Sequence, residues 1–264
     1  MNGALFKKEM RSSLKLLVIF MAILTMYIVL IIGMYDQKTA QALQQFEKVM
    51  PEVMAAVGMQ GTPDSLMHFM ISYLYGFILL VFPMVYSIIR ANGLVAKYLE
   101  QGSLVALLAA PVKRTQIVIT QLIALISGVV LLLGYCTVLE IITIKQQFPN
   151  EFSWQQLLTL NAGLLALHLL LAGFCFLCSV SANDTKQCLT VSAGICALMY
   201  VLQMLANMGD KLANLRYFTV FTLFDANKLV ANTPDYTGSL SLFLAAIVLF
   251  ISSVWVFKKR ELQV

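Results

Sequence analysis

The chain has 264 residues, 60% of them from the set AVILMFWYC and 12% charged, with a formal net charge of +5 and a mean hydropathy of +0.83. Soluble domains run near 45–50% apolar and about 25% charged, so this composition excludes a water-facing globule and leaves a membrane protein. The positive excess sits at the ends of apolar segments with no soluble domain to present it, which argues against nucleic acid as a partner.

A bilayer core about 30 Å thick takes roughly 20 helical residues per crossing, and about six charge-free windows of that length occur. They fall at residues 16–34, 66–89, 116–139, 157–181, 187–206 and 239–257. The runs are continuous and far longer than the roughly ten residues of a barrel strand, so the expected fold is all-α and integral to the membrane. Residues 1–264 are expected to form a single transmembrane domain, because the segments between windows are too short for a soluble one.

In chain order, the first fifteen residues read as an interfacial amphipathic helix touching membrane lipid. Lys7, Lys8, Arg11 and Lys15 fall on one face at helical spacing, and Leu5, Phe6, Met10, Leu14 and Leu17 on the other. The first window has no small-residue cleavage site before Asp36 and is expected to stay as an anchor. The loop that follows carries a narrow stripe of Leu43, Phe46, Met50, Val53 and Val57, crossed by Pro51, which predicts an outer helical hairpin. Thr62-Pro63-Asp64 reads as the cap of the second span. After that span, Ser103 can cap a short cytoplasmic helix on which Leu104, Leu107 and Leu108 form a stripe that Pro111 ends. Those leucines have no core to enter and ask for a partner protein. Between the fifth and sixth spans, residues 217–225 mix aromatic and polar side chains and predict short surface or re-entrant helices, with Asp225 capping the segment after it.

Lys and Arg accumulate on the cytoplasmic side of short loops, and an inside N-terminus puts about 12 of the 18 basic residues there. Both termini are therefore expected inside, in the cell membrane. Four of the cysteines, Cys136, Cys175, Cys178 and Cys196, lie within the windows, and Cys188 lies at the mouth of one, so packing thiols are expected in place of disulfides. Candidate chemistry is sparse. Glu140 near the outer end of the third span is expected to snorkel to water or pair with Lys145, and His168 to hydrogen-bond a neighbouring helix. No Gly-x-Ser-x-Gly, His-Glu-x-x-His or Gly-x-x-x-x-Gly-Lys-Ser/Thr motif occurs, so neither catalysis nor nucleotide hydrolysis is expected of this polypeptide.

The string EQGSLVALLAAPVKRT at residues 100–115 resembles the signature of ABC type-2 export permeases, through Glu100, Gly102, Ser103, Leu104, Leu107, Leu108, Pro111 and Arg114. The similarity extends over the order of parts: a basic N-terminal helix with Phe6-Lys7-Lys8-Glu9, the spans, a structured outer segment, and the tail Phe257-Lys258-Lys259-Arg260. The resemblance implies a second permease subunit, identical or different, and cytoplasmic ABC ATPase subunits that bind ATP and magnesium, with no cofactor held by this chain. It implies that the short helix after Gly102 and the N-terminal helix with Phe6, Lys7, Lys8 and Arg11 contact the ATPase. It also implies that the second and fifth spans line an export path, here through Tyr75, Tyr86, Tyr200, Gln203 and Met204. An amphipathic lining without fixed charge suits a hydrophobic or amphipathic cargo such as a peptide, a lipid-like molecule or a drug. The competing class is a non-transporting membrane scaffold or assembly factor that uses the same cytoplasmic helix to recruit its partner.

Overall fold

The structure, a computed structural model, describes residues 2–36, 49–56, 58, 65–103, 112–149, 153–231 and 233–260. Among these, six helices are long and apolar enough to cross a membrane: α1 (Gly3–Gly33), α3 (Leu66–Glu100), α4 (Arg114–Gln147), α5 (Trp154–Ser181), α6 (Thr185–Asn207) and α8 (Thr237–Lys259). Short elements are α2 (Pro51–Ala56), two 3-10 turns at Asp210–Phe218 and Phe221–Leu223, and α7 (Ala226–Val230). The described residues contain no strand. The chain is an all-α, multi-pass membrane protein.

Several helices outrun the charge-free windows. Polar residues whose side chains find partners do not end a helix, so α3 continues through Arg90, and α4 through Glu140 and Lys145. The N-terminal segment is likewise continuous with the first span and forms no separate interfacial helix. Asn2 caps it by accepting from the backbone N–H groups of Ala4 and Leu5, and nothing in Lys15–Leu17 breaks the hydrogen-bond ladder. Its buried stripe runs Leu5, Glu9, Ser13, Leu17, Phe20, Leu24, Ile28, Ile32. Lys7, Lys8 and Arg11 are exposed and Phe6 is half-buried. The second span is capped by Ser65, which accepts from the His68 N–H; Thr62 to Asp64 lie outside the described residues. Of the outer-loop stripe, Leu43, Phe46 and Val57 also lie outside them, and Pro51 opens α2, where its missing N–H costs nothing.

The central helix is α5, which α3, α4, α6, α7 and α8 all pack against. It is apolar around its whole circumference, as a helix with neighbours on every side must be. Its register with α8 is parallel: Gly163 lies against Ser239, Gly173 against Leu249 and Phe250, and Val180 against Arg260. A Cβ on Gly163 would come within 2.5 Å of Leu229 Cδ1 and 2.9 Å of Ser239 Oγ, and one on Gly173 within 3.1–3.3 Å of the α8 side chains. Without a hydrophobic drive between helices in lipid, such close backbone approach is a main source of packing energy. Helix α4 runs parallel to α1, with Asn2 bonded to Thr120, Thr25 to Tyr135, and Gly33 beside Gln147. Asn2 and Arg260 consequently lie at the same end of the bundle, here called the basic end.

Candidate functional site

Helix α3 is irregular where the other spans are regular. Leu66–Met70 is α-helical, Ile71–Ile78 is π-helical, and Leu79–Leu94 resumes the α pattern. Just beyond the π segment, Pro83 has no N–H to offer the carbonyl of Leu79, four residues earlier, and in lipid an open carbonyl must find another donor. His168 of α5 supplies it, with Nε2 at 2.7 Å from Leu79 O; since a carbonyl only accepts, Nε2 carries the hydrogen. The expected bond of His168 to a neighbouring helix thus has a definite partner. Ser87 Oγ, in turn, donates to Pro83 O at 2.9 Å.

The π segment also carries Tyr75, whose hydroxyl donates to Glu140 Oε2 at 2.8 Å. Asn161 Nδ2 lies 2.9 Å from the same oxygen, 2.7 Å from Tyr75 Oη and 3.1 Å from Leu157 O. Glu140 is wholly buried, which corrects the expectation that it snorkels to water or pairs with Lys145. The reason is its place on α4: it shares the inward stripe of Cys136, Thr143 and Ile144, whereas the Lys145 ammonium stacks over the Trp154 ring at 4.3 Å. Asn161, which sequence reasoning passed over, joins the cluster from α5.

Tyr75 is also part of the wall of a cavity of about 340 Å³ that opens at the end opposite the basic end. Gly76, Tyr200, Gln203 and Met204 line it from α3 and α6, and Phe221, Thr222, Arg216 and Asp225 from the segment between α6 and α8. Thr222 Oγ1 lies 2.7 Å from Gln203 Oε1 and 2.8 Å from Arg216 O, two acceptors for its single hydrogen, and this contact ties the 3-10 turns to α6. The Tyr200 ring packs edge-on against Phe221 at 5.4 Å, and its hydroxyl is 3.4 Å from Gly76 O. The structure therefore brings Tyr75, Tyr200, Gln203 and Met204 together and leaves Tyr86 elsewhere. Tyr86 is buried against Phe20 and against Gly128 of α4, where a Cβ would collide with its hydroxyl. The lining also gains fixed charges, Arg216 and Asp225, which the spans alone do not carry. Asp225 caps α7 by accepting from the Lys228 N–H.

At the basic end, Glu9 is buried between α1 and α3. Arg90 Nη2 lies 2.8 Å from Glu9 O and 3.1 Å from Glu9 Oε2, and Tyr98 Oη donates to Glu9 Oε1 at 2.5 Å. Lys8 stands over the Tyr98 ring at 4.9 Å. Glu9 was legible in the sequence as a lone acid among cations on the N-terminal helix, but its partners were not. Helix α3 ends at Glu100; Gly102 takes φ +66°, a conformation that favours glycine, and Ser103 Oγ donates to Tyr98 O at 3.3 Å. Leu104, Leu107, Leu108 and Pro111 lie outside the described residues, and Arg114 opens α4 with its side chain exposed. On the half of α5 toward the basic end, Cys175 Sγ lies 4.0 Å from Cys196 Sγ of α6, with both thiols free and buried.

A search of the curated proteins returned no match. A family model described as ABC-2 family transporter protein does match, over residues 4–262, which takes in every spanning helix and both polar clusters; the chain belongs to that family and is a membrane-spanning permease subunit of an ABC transporter.

Proposed function

We propose that this permease exports an amphipathic or hydrophobic cargo, a peptide, a lipid-like molecule or a drug, and that the cavity between α3 and α6 is the outer mouth of its path. The cavity carries this reading: aromatic and thioether groups (Tyr75, Tyr200, Met204) lie on the spans, and polar and charged groups (Gln203, Arg216, Asp225) stand at the rim. A molecule with one apolar and one polar part finds both kinds of contact there. The basic end faces the cytoplasm, where cations accumulate. An ABC ATPase, which holds the ATP and magnesium, docks on Gly102–Pro111 and on the start of α1, and a second permease subunit completes the path.

Export is tested by reconstituting the permease with its ATPase in inside-out vesicles and following ATP-dependent uptake of a fluorescent amphipathic peptide. Uptake that falls at least tenfold in Gln203→Trp, with ATPase still bound, is the expected result. Uptake unchanged by filling the cavity removes it from the path, and a chain that never brings down a Walker-motif ATPase favours the scaffold reading.

A further inference from the structure

The cluster of Tyr75, Glu140 and Asn161 has an unusual balance of donors and acceptors. Both donors that reach the carboxyl, Tyr75 O–H and Asn161 Nδ2–H, go to the same oxygen, Oε2. Glu140 Oε1 and Asn161 Oδ1 are buried and have no partner among the described residues. With an ionised carboxyl, both of these oxygens are acceptors, and neither meets a donor. No described cation offsets the charge. Helix α3 contributes the phenol of Tyr75, α4 itself the thiol of Cys136 one turn away, and α5 the neutral amide. Helices α1 and α8 also pack on α4, but their charged residues, Lys7 to Lys15 and Lys258 to Lys259, all lie toward the basic end. Burying an unpaired carboxylate in such a place costs far more than burying the neutral acid.

We propose that the cluster is a proton-binding site: Glu140 carries a hydrogen on Oε1 and donates it to Asn161 Oδ1. The proton turns two orphaned acceptors into a donor and an acceptor. It closes an acid–amide ring whose other half, Asn161 Nδ2–H to Oε2, is already in place. The ring clamps α4 to α5, and Tyr75, bonded to both members and buried in the cavity wall, ties the clamp to the π segment of α3. Release transfers the proton to water in the cavity and removes the Oε1–H to Oδ1 half of the ring, leaving a buried carboxylate with an unfilled oxygen and a weaker clamp between α4 and α5. The cavity thus stands on a latch that an alkaline exterior opens. The site is independent of the cargo reading and is tested without transport.

Purified protein in lipid nanodiscs is expected to show an infrared carboxylic-acid C=O band at neutral pH that disappears in Glu140→Gln. The amide of glutamine has the shape and the donor of the neutral acid, so this variant is expected to match the thermal stability of wild type at acidic pH. As pH rises, wild type is expected to lose stability, because the packed state holds a proton that the free carboxyl has given up, while Glu140→Gln stays level. Asn161→Leu, which removes the ring's other half, is expected to be less stable than either at every pH. A carboxylate band at neutral pH in wild type that Glu140→Gln removes, with no acid C=O band lost, overturns the proposal. So does a Glu140→Gln protein that fails to assemble, or a stabilisation by sodium or potassium that Glu140→Gln abolishes, which would put a metal cation where we place the proton.

Discussion

Pro83 and His168 show how one missing hydrogen atom dictates a distant side chain. The proline leaves Leu79 O open, and the imidazole closes it across a helix boundary. Replacing His168 by Leu is expected to cost about 1–3 kcal/mol, the penalty for an unsatisfied buried carbonyl. Pro83→Ala restores the N–H, so the double variant His168→Leu/Pro83→Ala is expected to regain most of that loss in thermal unfolding, whereas two unrelated substitutions would add. The sequence contains Pro83 and His168 in plain sight, and it announces that a carbonyl four residues before the proline needs a donor. Which donor answers depends on the crossing of α3 and α5, a contact that no local pattern encodes. Glu140 was misjudged for the same reason: its place near a span end favoured water, and only the partners Tyr75 and Asn161, on two other helices, make an inward position tolerable.

At the scale of elements, the join between α1 and α3 is an ion pair in which both side chains are buried, Glu9 at 2% and Arg90 at 6% exposure. Removing one member of a buried pair leaves an uncompensated charge, so Arg90→Ala is expected to destabilise by about 3–5 kcal/mol, and the neutral pair Glu9→Gln/Arg90→Gln by much less. Both are read from thermal unfolding in detergent. Because Tyr98, two residues before Glu100, shares Glu9, the join also fixes the end of α3. The spans themselves were legible as charge-free windows, since the cost of burying unpaired polar groups in hydrocarbon writes them into composition. Their true lengths were not, because a paired Glu9, Arg90 or Glu140 is no longer a boundary. The α5–α8 contact offers a steric check at the same scale. Gly163→Val places branched carbon where Leu229 Cδ1 and Ser239 Oγ already stand, and is expected to lower the unfolding temperature more than Gly194→Val, a position of α6 with open space around it.

For the molecule as a whole, the basic end is expected in the cytoplasm. In a cysteine-free background, Gln147→Cys at the far end of α4 should react with an impermeant maleimide added to intact cells, and Gln101→Cys should not. Labelling of the latter reverses the orientation. The parallel pairing of α5 with α8 has a further consequence, for biogenesis. The central helix is fourth among the six described spans, yet the neighbour that fills its glycine face is the sixth. Until α8 leaves the ribosome, Gly163 and Gly173 face lipid or whatever insertion factor attends the chain. A nascent chain stalled before Thr237 is therefore a bundle open along one side of α5, and insertion of α8 is the step that closes the glycine face.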